Sequence, residues 1–276
     1  TSLYIHHKEG KWVACAVFVD DILVTGTDTS KISELRELFK EKFKGEHQWD
    51  ENINSFLGMD ISYASGTLSM NVKAKIDDLF KKYPFLASGN RWSQSTSSSE
   101  IDDSPSLDDD ELSDYQLKLK ENFASIVGSC IYFSITCRPD LSTIVSKACK
   151  GMHGPKKIHI LYLQAMIQYL KEHRDLSLVY RKDSKAVSHI GSLATAFPEL
   201  ADVPNSPVVG FSDADWLPKA SDGEQMKSTS GHCFYVFGNL VQWTSKRQTI
   251  TAASTMQAEL IAASSVAMFV GCVGCH

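Results

Sequence analysis

Asp20 and Asp21 stand side by side between two apolar, β-branched runs, Val13-Ala-Cys-Ala-Val-Phe-Val19 and Ile22-Leu-Val-Thr25. Such runs, separated by two residues, predict a tight β-hairpin with both aspartates at its turn. Adjacent carboxylates are poor strand residues and repel each other, so a tip that carries both invites a cation. An ordinary Asp-rich turn is the competing reading, because Asp favours turns for backbone reasons alone. A second chemical spacing lies at Cys272-Val-Gly-Cys-His276, which spells a c-type haem attachment site. That chemistry needs an exported chain, and Thr1–Lys8 carries no leader pattern; the competing reading places Cys272 and Cys275 on the tail of a helix. These three residues lack the further ligands, at matching spacing, that a zinc site requires.

The elements around the aspartates follow from periodicity. Asp28-Thr29-Ser30 offers caps, and Ile32, Leu35, Leu38, Phe39 and Phe43 predict an amphipathic helix over 30–44. Phe56–Ile61 and Thr67–Val72 read as a second hairpin turning at Ser65-Gly66, followed by a short helix over about 73–83 that stops at Pro84. The Ser-, Thr- and Asp-rich stretch at 88–118 reads as a disordered acidic insert. Three helices follow, at 121–136, about 140–152 and Pro155–His173, then a strand at Leu176–Tyr180 and a loop from Asp183 to Pro207. Further on, Val208–Ser212, His232–Phe237, Leu240–Ser245 and Thr249–Ala252 read as four strands, with Gly238-Asn239 as a turn and a helix capped by Ser254 or Thr255.

A chain of 276 residues with 43% hydrophobic and 10% aromatic content can bury sizeable cores. No apolar run approaches the roughly 20 residues of a membrane span. Its net charge of −5 argues against a nucleic-acid partner only if taken whole. Residues 88–121 carry nine acids against three bases, and the remainder is close to neutral, which permits a phosphate-binding face. Seven Cys without framework spacing suit reduced thiols in an intracellular compartment. The nine His read as surface residues, and Trp216, Trp243 and Tyr235 as core aromatics with base stacking as the alternative. The first residue is not Met, so the chain is expected to be a piece of something longer.

Val17-Phe-Val-Asp-Asp-Ile-Leu-Val-Thr-Gly26 resembles a polymerase motif in which an aromatic and one apolar residue precede paired Asp. Phe56-Leu57-Gly58 resembles the hairpin that follows it and grips the primer. Ile126–Tyr132 and Thr136-Cys-Arg-Pro-Asp140 are similar to thumb helices. Phe211–Trp216, Ser228–Gly231, Trp243–Gln248 and Ala253–Leu260 resemble four successive blocks of a ribonuclease H domain. Together and in this order they resemble the reverse transcriptase and ribonuclease H region of copia-type retrotransposon polyproteins.

The resemblance implies a fold of α/β and α parts: a C-terminal portion of a polymerase palm (1–72), a three-helix thumb (73–182), a linker (183–206) and a truncated ribonuclease-H-like domain (207–276). It implies RNA-directed DNA synthesis with removal of the RNA strand, in which Mg²⁺ (or Mn²⁺) is held by Asp20 and Asp21 at one centre and by Asp213 and Glu259 at the other. Paired Mg²⁺ activates the attacking oxygen and stabilises the leaving one, and hard carboxylate oxygens suit it. The remaining ligands of each centre would come from outside this stretch, so the isolated chain is expected to bind metal weakly and to be inactive. Asp215 is not expected to act directly. The implied partners are primer–template nucleic acid, RNA–DNA hybrid and other parts of the polyprotein, in cytoplasmic particles and the nucleus, with no membrane and no secretion. Two departures are Phe18, where the family most often has Tyr, and Met256, where it commonly has a second Glu. A non-catalytic nucleic-acid-binding or scaffold relic is the alternative of another class, and a haem protein the third.

Overall fold

Residues 2–43, 48–51, 53–89, 112–182, 208–216 and 227–273 are described by the computed structural model, with side chains through Met268. Most of the expected insert (90–111), the linker at 183–206 and the Cys272-Val-Gly-Cys-His276 spacing, apart from the backbone of 272 and 273, lie outside the described residues. The chain forms two units of mixed helix and strand, Thr1–Ser62 and Tyr63–His276.

In the first unit, β1 (Ser2–Lys8), β2 (Lys11–Phe18) and β3 (Asp21–Gly26) make an antiparallel meander in that order. Strand alternation places Val13, Cys15 and Val24 on one face; Val13 is 3% exposed. Leu3, Ile5, Trp12 and Phe18 line the opposite face and are exposed. Helix α1 (Thr29–Phe43) starts where the Asp28 carboxylate accepts from the Lys31 backbone N–H at 3.1 Å, so the expected cap and helix are both found. Two short strands follow, β4 (Ser55–Phe56) and β5 (Met59–Ala64), and the boundary between the units falls within β5.

The second unit begins as β5 turns at Ser65-Gly66 into β6 (Thr67–Asn71), which pairs antiparallel with the distant β7 (Leu178–Arg181). Between them lie α2 (Lys73–Lys82), α3 (Asp114–Glu121), α4 (Phe123–Thr136), α5 (Ser142–Cys149) and α6 (Lys157–Glu172). Their apolar stripes meet in one core; Ile76, Leu119, Ile126, Ile160 and Leu163 are fully buried. Helix α3 corrects the expected insert, whose last residues are helical from Asp114. Ser113 Oγ accepts from the Gln116 backbone while Gln116 Oε1 accepts from the Ser113 backbone, a reciprocal cap that the surrounding acidic composition concealed.

A three-stranded antiparallel sheet in the order β10-β9-β8 completes the unit, from β8 (Val208–Asp215), β9 (Thr229–Val236) and β10 (Asn239–Arg247), followed by α7 (Thr255–Val273). Two expectations are corrected here. Thr249–Ala252 is not a strand, because the chain leaves the sheet after Gln248. The β9–β10 turn is Phe237-Gly238, one residue earlier than read, and Asn239 already pairs with Val236. The Asn239 side chain bonds both backbone groups of Arg181, at 2.8 and 3.1 Å, and so ties this sheet to β7.

Candidate functional site

The first carboxylate pair lies at the tip of β2–β3, shifted by one residue from the sequence reading. Phe18 pairs with Asp21, so the two-residue turn is Val19-Asp20 and Asp21 opens β3. The register that buries Val13 leaves no other choice, since a one-residue slip would turn that side chain to the opposite face. In four other tight turns among the described residues a left-handed residue is followed by a Gly at positive φ (Glu9-Gly10, Leu57-Gly58, Ser65-Gly66, Phe237-Gly238); here Val19 takes the first, left-handed position at φ 55° and Asp20, not a Gly, follows it. A β-branched residue at positive φ is strained, and Val19 is 85% exposed, so burial does not offset that strain. Asp20 and Asp21 are both exposed, and neither has a cationic partner among the described residues.

Phe56-Leu57-Gly58 also forms a turn, in place of the first part of the longer strand expected over Phe56–Ile61. Leu57 (φ 51°) and Gly58 (φ 77°) connect β4 to β5, with Phe56 opposite Met59. Among the described residues no strand pairing joins this hairpin to the Asp20–Asp21 sheet.

The second pair is assembled by packing. Helix α7 lies on β8, where Gly210 makes room for it: a Cβ there would stand 2.6 Å from Val266 Cγ1 and 2.9 Å from Phe234 Cε1. Gly210 and its partner Phe234 therefore share the face under α7. Alternation puts Phe211, Asp213 and Asp215 on the reverse face. Trp243, opposite Cys233, also belongs to the reverse face and donates from Nε1 to the Ser134 carbonyl of α4. Glu259 precedes Val266 by two helical turns on the same side, and Asp213 follows Gly210 by three strand residues, each a travel of about 10 Å. At that end of the sheet Gln248 Nε2 bonds Ala258 O and Ser230 Oγ, both at 2.9 Å, and Ser230 lies opposite Ala214. The N-terminal end of α7 and the C-terminal end of β8 thus coincide. Asp213 and Glu259 approach that end from the two faces of the strand, both exposed and without a cationic partner among the described residues.

The helix that carries Glu259 is capped by Ser254, whose Oγ accepts from the Gln257 backbone at 3.2 Å while Gln257 Oε1 accepts from Ala253 N–H at 2.7 Å. His232, opposite Ser212 on the α7 face, is held below the ordinary histidine range by burial. Sequence reasoning assigned no role to Gln248, which is 5% exposed; a glutamine at a strand end carries no periodicity signal that would mark it as buried. The donor chemistry suits Mg²⁺, which takes one or two carboxylates and completes its shell with water or substrate phosphate. Among the described residues no group of three or more His, Cys, Asp or Glu converges, so each place offers a pair.

The described residues define a mixed α/β protein with two adjacent carboxylates on a hairpin tip, a third near the end of β8 and a fourth on the first turns of α7. The chain is 26% identical over 259 residues to the retrovirus-related Pol polyprotein from transposon RE1 of Arabidopsis thaliana, covering 94% of this chain and 15% of that protein. It is 26% identical over 260 residues to the uncharacterized mitochondrial protein AtMg00810 of Arabidopsis thaliana, covering 88% of this chain and 87% of that one. It is 30% identical over 142 residues to secreted RxLR effector protein 161 of Plasmopara viticola, covering 51% of this chain and 84% of that one. The chain is similar to retrovirus-related Pol polyproteins of transposons, which supports a piece of a retrotransposon polyprotein, and it spans about 15% of the length of the Pol polyproteins it matches. No family model matches it. No solved structure matches it. Among the described residues no helix is long and apolar enough to cross a membrane.

Proposed function

We propose that the chain is part of a copia-type RNA-directed DNA polymerase with an associated ribonuclease H. The first unit and the helices after it would serve as palm and thumb, and β8–β10 with α7 as the ribonuclease-H-like part. The observation that carries this reading is the packing of α7 on β8 through Gly210 and Val266, which brings Glu259 to the strand end where Asp213 stands. Neither carboxylate has a cationic partner among the described residues, which leaves both open to an external cation. Bound Mg²⁺ would supply charge stabilisation for the attacking and leaving oxygens of a phosphoryl transfer. Asp213 and Glu259 would hold it for RNA cleavage, and Asp20 and Asp21 for DNA synthesis. Phe56, Leu57 and Gly58 would contact the primer from their own hairpin. The substrates are primer–template nucleic acid and RNA–DNA hybrid.

The test uses the complete polyprotein. Asp213→Asn and Glu259→Gln are expected to abolish hybrid cleavage and spare primer extension, while Asp20→Asn and Asp21→Asn do the reverse. Retention of both activities in all four variants would reject the reading. Two carboxylates alone hold Mg²⁺ weakly, so the 276-residue chain by itself is expected to show little of either activity. Salt-sensitive hybrid binding by the polyprotein, with no hydrolysis under any condition, would favour the non-catalytic alternative.

A further inference from the structure

We infer that Gln248 is a positioning residue for the Glu259 carboxylate, an inference that rests on the reading of Asp213 and Glu259 as cation ligands. Gln248 is 5% exposed, just past the end of β10, and its backbone N–H donates to Ser228 O at 2.8 Å. Its Nε2 donates to Ser230 Oγ and to Ala258 O, each at 2.9 Å. The carbonyl of Ala258 belongs to the peptide that leads into Glu259, and Ala258 itself is fully buried. The side chain therefore grips the α7 backbone immediately before the exposed carboxylate and fixes it to β9.

The arrangement is unfavourable as packing alone. A carbonyl can only accept, so the Ala258 bond assigns the amide nitrogen to that side and leaves Oε1 on the other. Gln248 Oε1 is buried and has no hydrogen-bond partner among the described residues. A buried unpaired acceptor costs about 1–3 kcal/mol, which an apolar side chain of similar volume would avoid. What such a side chain would lack is the grip on Ala258. Glu259 is exposed, and the Ser254 cap and the Gln248 bond both hold its turn of α7. Residues that orient metal ligands without touching the metal change affinity about 10- to 100-fold when removed.

The probe is Mn²⁺ alone, titrated into the 276-residue chain carrying Asp20→Asn and Asp21→Asn and followed by water-proton relaxation, with urea unfolding run in parallel. Gln248→Met should weaken Mn²⁺ binding about 10-fold or more. Ser230→Ala removes the other acceptor of the same Nε2 and should leave affinity within about twofold, although both variants lose a hydrogen bond of that amide. Gln248→Asn, polar but one methylene short of Ala258 O, should behave as Gln248→Met and serves if the latter does not fold. Equal affinities for Gln248→Met, Gln248→Asn and the parent, in a chain whose binding Glu259→Gln abolishes, would overturn the positioning role while leaving the functional reading intact. Mn²⁺ binding that is absent, or indifferent to Glu259→Gln, would overturn the functional reading and this inference with it.

Discussion

Trp243 Nε1 donates to the carbonyl oxygen of Ser134 at 2.7 Å, joining β10 to α4 across 109 residues of chain. Ser134 is buried, so the bond satisfies an acceptor that water does not readily reach. With the Asn239–Arg181 pairing it makes the helices and the β8–β10 sheet parts of a single unit. Trp243→Phe keeps a ring but removes the donor, and should destabilise this unit by about 1–3 kcal/mol. In urea unfolding, the helical and sheet signals of Tyr63–His276 should shift together; separate midpoints would contradict the coupling.

Arg138 is 1% exposed and forms a fork to Asp140, Nε to Oδ1 at 3.0 Å and Nη2 to Oδ2 at 2.7 Å, while Nη1 donates to the His173 carbonyl at 2.9 Å. It therefore joins the turn after α4 to the C-terminal end of α6. Asp140 is exposed, so Arg138→Ala strands no buried charge; it loses the packing of a buried guanidinium and the donor to the His173 carbonyl, and should cost about 1–3 kcal/mol. Arg138→Lys cannot reproduce the fork and should recover only part of this. Thermal unfolding of the three proteins gives the ranking, and equal stability of Ala and Lys variants would count against the fork.

Val19 adopts φ 55° at 85% exposure. Asn tolerates this region better, so Val19→Asn should stabilise the first unit by about 1 kcal/mol. A loss of stability, read by chemical denaturation, would mean that the tip does not hold this conformation.

The missing Cβ of Gly210 is what lets α7 approach β8. Gly210→Ala should cost about 1–3 kcal/mol through overpacking against Val266 and Phe234. Val266→Ala in the same chain should recover part of the loss, because the two sites share one contact. A double-mutant cycle with no interaction energy would place α7 elsewhere.

His159 and His232 are both held below the ordinary value of 6.5, chiefly by burial and, for His159, also by Lys156 and Lys150. In the unfolded chain each takes up a proton near 6.5, whereas in the folded chain each resists it. The unfolded state therefore binds more protons as pH falls below 6.5, and stability falls with it through the lowered folded values. Unfolding free energy should decline from pH 7 toward pH 5, and less so in a His159→Gln, His232→Gln variant. Parallel pH profiles for the two proteins would remove these histidines as the cause.

The paired aspartates, the α1 helix with its Asp28 cap and the Ser254 start of α7 were legible in the sequence because each rests on local chemistry: turn and cap preferences, and periodic apolar residues. Even there, register needed the fold. Whether Asp20 and Asp21 both sit in the turn depends on which face Val13 presents, a decision made by cross-strand packing. The reciprocal Ser113–Gln116 cap is local too, yet an acidic stretch of unlike composition masked it.

Asp213 and Glu259 stand 46 positions apart, and no spacing rule relates them; that the N-terminal end of α7 lies at the end of β8 is decided by a helix packed over Gly210 and by the Gln248 bonds. The arrest of the last expected strand at Gln248 has the same origin. Thr249–Ala252 has the local makeup of a strand, but the buried amide of Gln248 turns inward to reach Ala258, which only the folded chain brings within 2.9 Å. Local preferences act over a few residues and can be read in order along the chain. Contacts such as Gly210–Val266, Trp243–Ser134 and Gln248–Ala258 depend on side-chain volume and buried hydrogen bonding, and these become defined only when distant segments exclude water from between them.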